Sequence, residues 1–126
     1  MSRSVDASAD VERIMDAAFA LGGVGYVAVE NAGRVAMRLH QRIETATTEE
    51  TNFYEEYLVN PTVIGLVGRR AALDCGGLRY VAIGYGDFIQ VLAPLAGGGH
   101  VSVGVAKGRD VEAFGDALAT IAARTP

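Results

Sequence analysis

The residues that could carry out chemistry in this chain are few, and they form no recognisable catalytic set. The two histidines, His40 and His100, have no second ligand at metal-binding spacing, such as an HxxxH pair or a neighbouring cysteine pair. His40 alternates in phase with Arg38 and Arg42, so we expect it on a solvated strand face. His100 opens a later strand, where we expect a structural or surface role. The sequence therefore predicts no metal site.

The single cysteine, Cys75, follows a predicted helix in the segment LDCGG. A reactive cysteine needs a thiolate, which a helix N-terminus or a neighbouring base stabilises. The C-terminal end of a helix has the opposite field and disfavours the thiolate. We therefore interpret Cys75 as a small, buried or half-buried thiol, and one cysteine alone cannot form an internal disulfide.

Two glycine runs, at residues 22–25 and 97–99, could be mistaken for phosphate-binding loops. A dinucleotide loop follows a strand and opens a helix, whereas the first run precedes a predicted strand and the second lies in a predicted hairpin. Turn glycines explain both runs. The chain also lacks GxxxxGK[ST], the phosphate-binding motif of P-loop nucleotide hydrolases, which argues against a GTPase. We predict no cofactor.

The middle segment TEETNFYEEYLV combines four glutamates with closely spaced aromatic residues. Four carboxylates on one short helix indicate a solvated face rather than a catalytic pair, with an acidic docking face as the alternative. The aromatic residues form two neighbouring i,i+4 pairs, which belong either to the core or to a protein interface. We predict a partner surface formed by Phe53, Tyr54, Glu55, Glu56, Tyr57, Arg69 and Arg70.

Composition limits the possible function classes. A chain of 126 residues with 50% hydrophobic residues indicates one folded domain, of which residues 1–7 are expected to be a frayed terminus. The net charge of −4 and the pI of about 5.1 argue against nucleic acid as a partner. The sequence has no apolar run near 18 residues and no signal-peptide pattern, so we expect a cytoplasmic protein without membrane insertion.

The patterned segments follow the order α-β-β-α-β-β-β-α. The first helix is expected to be capped by Asp6 or Ser8, and the last by Asp110. In the middle arm we expect a break or kink at Asn60, with Asn60 as the cap of a second helix and Pro61 at its first position. The predicted strands are residues 24–30, 34–41, 78–85, 88–95 and 100–107.

The connections between the last three strands are so short that they permit only antiparallel hairpins. Both alternating faces of these strands are largely apolar, which predicts helices on both sides of the sheet. One expected edge, residues 34–42, carries Arg34, Arg38 and Arg42, while the other, residues 78–85, carries only Arg79. A bare apolar edge is expected to pair with a second copy across a two-fold axis. The predicted dimer edge consists of Leu78, Tyr80, Val81, Ile83 and Tyr85.

From about residue 11 to residue 123, this order of elements resembles the roadblock family of dynein light chains and their bacterial relatives. The segments most similar to the family are GYVAVENAGRVAMRL, LRYVAIGYGDFIQVLAPL and HVSVGVAKGRDVEAF. The resemblance implies an α+β, profilin-like fold, in which a five-stranded antiparallel sheet has the arm on one face and the terminal helices on the other.

In function, the resemblance implies a non-catalytic adaptor that homodimerises and binds a small Ras-like GTPase or its signalling complex. The family contributes no catalytic residues to carry over, and no nucleophile–base set is visible in the sequence. The alternative is a small-molecule-binding sensory domain of profilin-like architecture, which would need an apolar cavity with a few converging polar groups.

Overall fold

The computed structural model describes residues 3–39 and 49–124, and it confirms the predicted α+β fold with helices on both faces of an antiparallel sheet. The predicted positions of His40 and Arg42 lie outside the described residues. The first helix begins at Arg3, before the expected caps Asp6 and Ser8. The elements are α1 (Arg3–Ala20), β1 (Val24–Asn31), β2 (Arg34–Leu39), α2 (Glu49–Tyr54), a π-helix (Glu55–Val59), α3 (Asn60–Asp74), β3 (Val81–Gly84), β4 (Ile89–Pro94), β5 (His100–Val105) and α4 (Val111–Ala123).

The sheet has the strand order β2-β1-β5-β4-β3, and all neighbouring strands are antiparallel. β3 is therefore an edge strand, as predicted, but only four of the eight expected residues join the ladder. Tyr80, just before it, is partly buried against the core. Its ring lies so close to Gly115 of α4 that a Cβ atom there would be 2.6 Å from it. The preceding residues thus pack on α4 instead of extending the strand.

The apolar core lies between one face of the sheet and the helices α1 and α4. Ile14, Met15 and Ala18 of α1 are buried in it, and so are Phe114 and Leu118 of α4. Asp110 caps α4, since its carboxylate accepts a hydrogen bond from the backbone N–H of Ala113 at 3.1 Å. The strand residues of this core include Val27, Val29, Val91, Ala93, Val101, Val103 and Val105.

The opposite face of the sheet is covered by the arm, which we define as residues 49–74. The prediction that Asn60 caps a second helix is wrong: its φ of −65° and ψ of −47° are helical, and its side chain accepts a hydrogen bond from Gln90 instead. Pro61 lies in the first turn of α3, as predicted, and the helix is irregular directly before it. The π-helix accommodates Pro61, which has no N–H to donate. The N–H of Asn60 donates to the carbonyl of Glu55, and the Thr62 hydroxyl donates to the Leu58 carbonyl at 2.6 Å. The helix therefore continues through this point, with one extra residue in the turn before Pro61.

Within the part of the chain that the structure describes, no helix is both long enough and apolar enough to cross a membrane.

Candidate functional site

The sheet face under the arm carries a layer of buried polar side chains, in contrast to the valine-rich core on the other face. Strand residues alternate between the two faces, so one polar residue at every second position is enough to build this layer. Opposite it, the arm contributes three buried polar residues of its own. We define the polar layer as Tyr26, Glu30, Glu55, Glu56, Asn60, Gln90, His100 and Ser102.

His100 lies at the centre of one half of this layer, between two carboxylates. Its Nε2 atom is 2.8 Å from Oε1 of Glu56 in the arm. Its Nδ1 atom is 3.5 Å from Oε1 of Glu30, the residue directly opposite it on β1. The other oxygen of Glu30 accepts a hydrogen bond from the backbone N–H of Gly33 at 3.1 Å. The imidazole thus lies between the arm and β1, with its closer contact to Glu56.

The position of His100 depends on the tight turn before it. Gly99 has a φ of +89°, a conformation that disfavours any other residue. A Cβ atom at this position would lie 2.0 Å from the carbonyl oxygen of Glu30. The close approach of the two backbones, which only glycine permits, therefore brings the imidazole of His100 beside the carboxylate of Glu30.

Glu55 occupies the other half of the polar layer. The Tyr26 hydroxyl donates a hydrogen bond to its Oε1 atom at 3.1 Å. Burial, followed by the negative charge of Glu56, raises the pKa of Glu55 to about 7. Burial also raises the pKa of the Tyr26 phenol, so this hydroxyl keeps its proton and acts as the donor. Glu55 therefore binds its proton up to near neutral pH in this buried site beneath the arm.

The Tyr26 ring reaches Glu55 because the neighbouring strand leaves room for it. Gly104 is the partner of Tyr26 across the β1–β5 ladder. A Cβ atom on Gly104 would lie 2.2 Å from the Tyr26 ring, which therefore occupies the space of the missing side chain. Phe88 packs edge-on against the same ring, with 6.1 Å between the ring centroids.

A chain of amides extends the polar layer towards β4. The Nε2 group of Gln90 donates to Oδ1 of Asn60 at 3.3 Å and to the Ser102 hydroxyl at 3.1 Å. Three buried atoms of the layer have no hydrogen-bond partner: Oε2 of Glu56, Nδ2 of Asn60 and Oε1 of Gln90. Buried polar atoms without partners are costly, so this layer holds the arm less firmly than a fully bonded one would.

The π-helix explains how adjacent glutamates can both face the sheet. In an α-helix two consecutive residues point about 100° apart, which favours only one of them for burial. In the wider π turn, with bonds from residue i to i+5, Glu55 and Asn60 are aligned, and Glu56 remains one α-helical turn from Asn60. The prediction that Glu55 and Glu56 belong to a solvated face is therefore wrong, and neither is exposed to a partner.

The other predicted partner-surface residues lie on the outer side of the arm. Phe53 is 66% exposed and Tyr54 60% exposed, so the alternative that they belong to the core is wrong. The rings of Phe53 and Tyr57 stack with centroids 4.7 Å apart. Arg69 and Arg70 are exposed further along the arm, where Arg70 pairs with Asp74. The outer side of the arm thus presents exposed apolar side chains from Phe53 to Leu73, with Arg69 and Arg70 near its end.

The predicted dimer-edge residues differ in how accessible they are. Val81 and Ile83 are partly buried, and Tyr85 is exposed. Tyr80 is partly buried and packs against the core. The N–H of Tyr85 donates to the carbonyl of Phe88 at 2.9 Å, which sets the alternation of hydrogen bonds along the β3–β4 pair. By this alternation the N–H groups of Ala82 and Gly84 point away from β4, towards the open edge.

Cys75 is exposed, so the expected burial of this thiol is wrong. It is the C-cap residue of α3, where the helix ends in solvent beside Arg70 and Asp74. Gly22, Gly23, Gly98 and Gly99 lie in turns, as predicted, and have positive φ angles. Gly25 belongs instead to strand β1.

Four members of the polar layer do not stand out as candidates in the sequence: Tyr26, Glu30, Gln90 and Ser102. A signal for two of them was present. Gln90 interrupts the apolar run FIQVLAPL, and Ser102 follows His100 at strand spacing in HVSVGV. Polar residues at every second position of otherwise apolar strands indicate a polar face, but sequence alone does not show that a helix covers it.

An antiparallel five-stranded sheet between a helical arm and two terminal helices is the roadblock-type architecture, and solved structures confirm this fold for the chain. The gliding protein MglB from Thermus thermophilus aligns with a TM-score of 0.59 and 10% identity over 91% of this chain and 89% of its own. MglB in a tetrameric arrangement gives 0.59 and 11% identity over 91% and 88%.

MglC from Myxococcus xanthus aligns with a TM-score of 0.53 and 9% identity over 90% of this chain and 92% of its own. At these identities the likeness establishes the fold. No protein-family model matches the sequence, and no curated protein matches it significantly.

Proposed function

We propose that this chain is a non-catalytic, roadblock-type regulator that forms a homodimer and binds a small Ras-like GTPase or its signalling complex. The roadblock-type fold, shared with MglB and MglC, supports this class of function. The surface of the molecule supports a binding role in particular.

The outer side of the arm is the observation that carries the proposal. Nine large apolar side chains are exposed among the described residues, and seven of them belong to the arm. Monomeric proteins rarely expose apolar residues in such a concentration unless the surface binds something. We define the apolar band as Phe53, Tyr54, Tyr57, Leu58, Leu66, Val67 and Leu73.

The composition of the band fits a protein partner. Three of its members are aromatic, and aromatic residues are enriched where proteins bind one another. Arg69 and Arg70 flank the band and would guide an acidic partner surface into register. Glu55 and Glu56 have no part in this surface because they face the sheet.

The homodimer part of the proposal rests on the edge strand β3. Its outward N–H groups at Ala82 and Gly84 are available to a strand from a second copy. The opposite edge strand, β2, carries Arg34 and Arg38, and charged residues of this kind disfavour strand addition. Pairing β3 with its two-fold copy would bury the open edge.

The experiment is an affinity measurement between the purified chain and Ras-like GTPases of the same organism, loaded with GDP or a GTP analogue. The test variant is Tyr54→Ser, in the apolar band. The control is Leu39→Ser, which removes a similarly exposed apolar side chain outside the arm. We expect binding to one GTPase that Tyr54→Ser weakens at least about tenfold, as expected of an interface anchor, and that Leu39→Ser leaves intact. Equal affinity of both variants, or no binding to any GTPase, would contradict the proposal.

A further inference from the structure

The arm and the terminal helices are attached to the sheet by different forces. α1 and α4 pack through apolar side chains such as Ile14 and Leu118. The buried residues of the π-helix and α3 are instead Glu55, Glu56, Asn60 and Ala71, three of which are polar. The attachment of the arm to the sheet therefore depends on hydrogen bonds and charges. The attachment of the terminal helices depends on apolar packing and is insensitive to charge.

The charges that meet beneath the arm are predominantly negative. The π-helix contributes Glu55 and Glu56, and β1 contributes Glu30 and the neutral phenol of Tyr26. β5 contributes His100, and the turn after β3 contributes Tyr85, whose pKa is raised by burial and by the charge of Glu55. Among the described residues, no arginine or lysine pairs with the three carboxylates. Glu55 retains its proton up to near neutral pH, which reduces this concentration of negative charge.

We propose that this polar layer is a proton-dependent latch: protonated, it holds the arm against the sheet through the Glu55–Tyr26 and Glu56–His100–Glu30 contacts, and deprotonated, it lets the arm open locally while the α1/α4 core stays folded. The latch lies within one chain and does not depend on the proposed partner.

The direction follows from which state binds the proton more tightly. In the closed arm Glu55 is buried next to Glu56, and its proton is retained up to near neutral pH. In the open arm the same carboxyl lies in water and loses its proton at a lower pH. A group of this kind stabilises the closed state most at low pH, and the stabilisation is lost as the pH rises through about 7.

The π-helix provides a place where the arm can move. π turns are less favourable than α turns and are found frequently at functional sites. Three buried atoms without partners lie at or beside this turn. Opening would expose them to water, which offsets part of the cost of separating the arm from the sheet.

The test is hydrogen–deuterium exchange of the purified chain from about pH 5.5 to about pH 8, with rates corrected for intrinsic exchange. Since one titrating proton changes the opening equilibrium up to about tenfold per pH unit, we expect arm protection to fall at least about tenfold. Protection in α4 should fall several-fold less. Glu55→Gln keeps the hydrogen bond to Tyr26 but cannot titrate, so it should abolish most of this pH dependence. Glu112→Gln, an exposed glutamate on α4, is the matched control and should change nothing.

A second variant, His100→Gln, removes the bridging imidazole and should lower arm protection at the acid end of the range. Circular dichroism establishes that each variant remains folded. The proposal is overturned if the arm and α4 lose protection in parallel. It is equally overturned if Glu55→Gln retains the pH dependence, or if the pH dependence disappears on dilution, since the effect would then arise from association between copies.

Discussion

His100 and Glu56 form a buried pair with 2.8 Å between Nε2 and Oε1, and each side chain is only 1% exposed. The pair joins β5 to the π-helix across the polar layer. Its burial makes it expensive to break, because whichever partner remains is left without its counterpart in a poorly solvated site. This contact, rather than apolar packing, connects the middle of the arm to the sheet.

Removing one member of this pair should destabilise the fold. We expect Glu56→Ala to lower the free energy of unfolding by about 3 kcal/mol, because it leaves His100 buried without its carboxylate. Glu112→Ala, at an exposed position of α4, should change it by less than about 0.5 kcal/mol. Urea denaturation at neutral pH measures both. Equal stability of the two variants would show that the pair contributes nothing to the fold.

Glu55 should make the stability of the protein pH-dependent. Its pKa is about 7 in the folded chain and near the ordinary glutamate value when unfolded, so the folded state binds the proton more tightly. Stability from this group is therefore greatest at low pH and lost as the pH rises through about 7. We expect the stability of the parent relative to Glu55→Gln to decrease by roughly 1 kcal/mol per pH unit between about pH 5 and pH 7. A constant difference in urea denaturation across this range would contradict the assignment.

Asn60 should behave as a buried amide and not as a helix cap. Serine replaces asparagine well at a cap, so Asn60→Ser would be nearly neutral if the side chain capped a helix. In this structure the amide is buried against Gln90. We therefore expect Asn60→Ser and Asn60→Ala to be similarly destabilising, by about 1–3 kcal/mol. If thermal denaturation shows that the serine variant is as stable as the parent, Asn60 acts as a helix cap and this prediction is wrong.

Leu118 and Leu73 should differ sharply when shortened to alanine. Leu118 of α4 is fully buried in the apolar core, whereas Leu73 is 80% exposed at the end of the arm. We expect Leu118→Ala to cost about 2–5 kcal/mol and Leu73→Ala to cost less than about 0.5 kcal/mol. Chemical denaturation measures both. A large loss for Leu73→Ala would mean that the apolar band is already covered in the isolated protein.

The fold was predictable from the sequence because its main signals are local. Short glycine-rich connections dictate antiparallel hairpins, and the stripe of α4 with its cap at Asp110 is read directly from residue spacing. β3 was identified as an edge, although its length was overestimated. The shortening depends on Tyr80 packing against Gly115, a contact between residues distant in sequence.

The candidate site was predictable only in part. The aromatic residues of the arm were assigned to a surface, and Phe53, Tyr54 and Tyr57 are exposed. The orientation of Glu55 and Glu56 was not predictable, because it depends on the π turn before Pro61 and on polar residues of β1 and β5. Tertiary contacts with Tyr26 and His100 override the usual preference of glutamate for the surface.

The central claim, that this chain functions through surfaces that pair with other chains, is tested most directly by sedimentation equilibrium at about 100 μM, well above the micromolar range of weak specific dimers. We expect a species of twice the 13.2 kDa chain mass. Ala82→Pro removes an N–H that points away from β4, so it should leave the fold intact and yield a monomer, whereas Ala82→Thr should remain dimeric. A parent protein that sediments at 13.2 kDa would contradict the account.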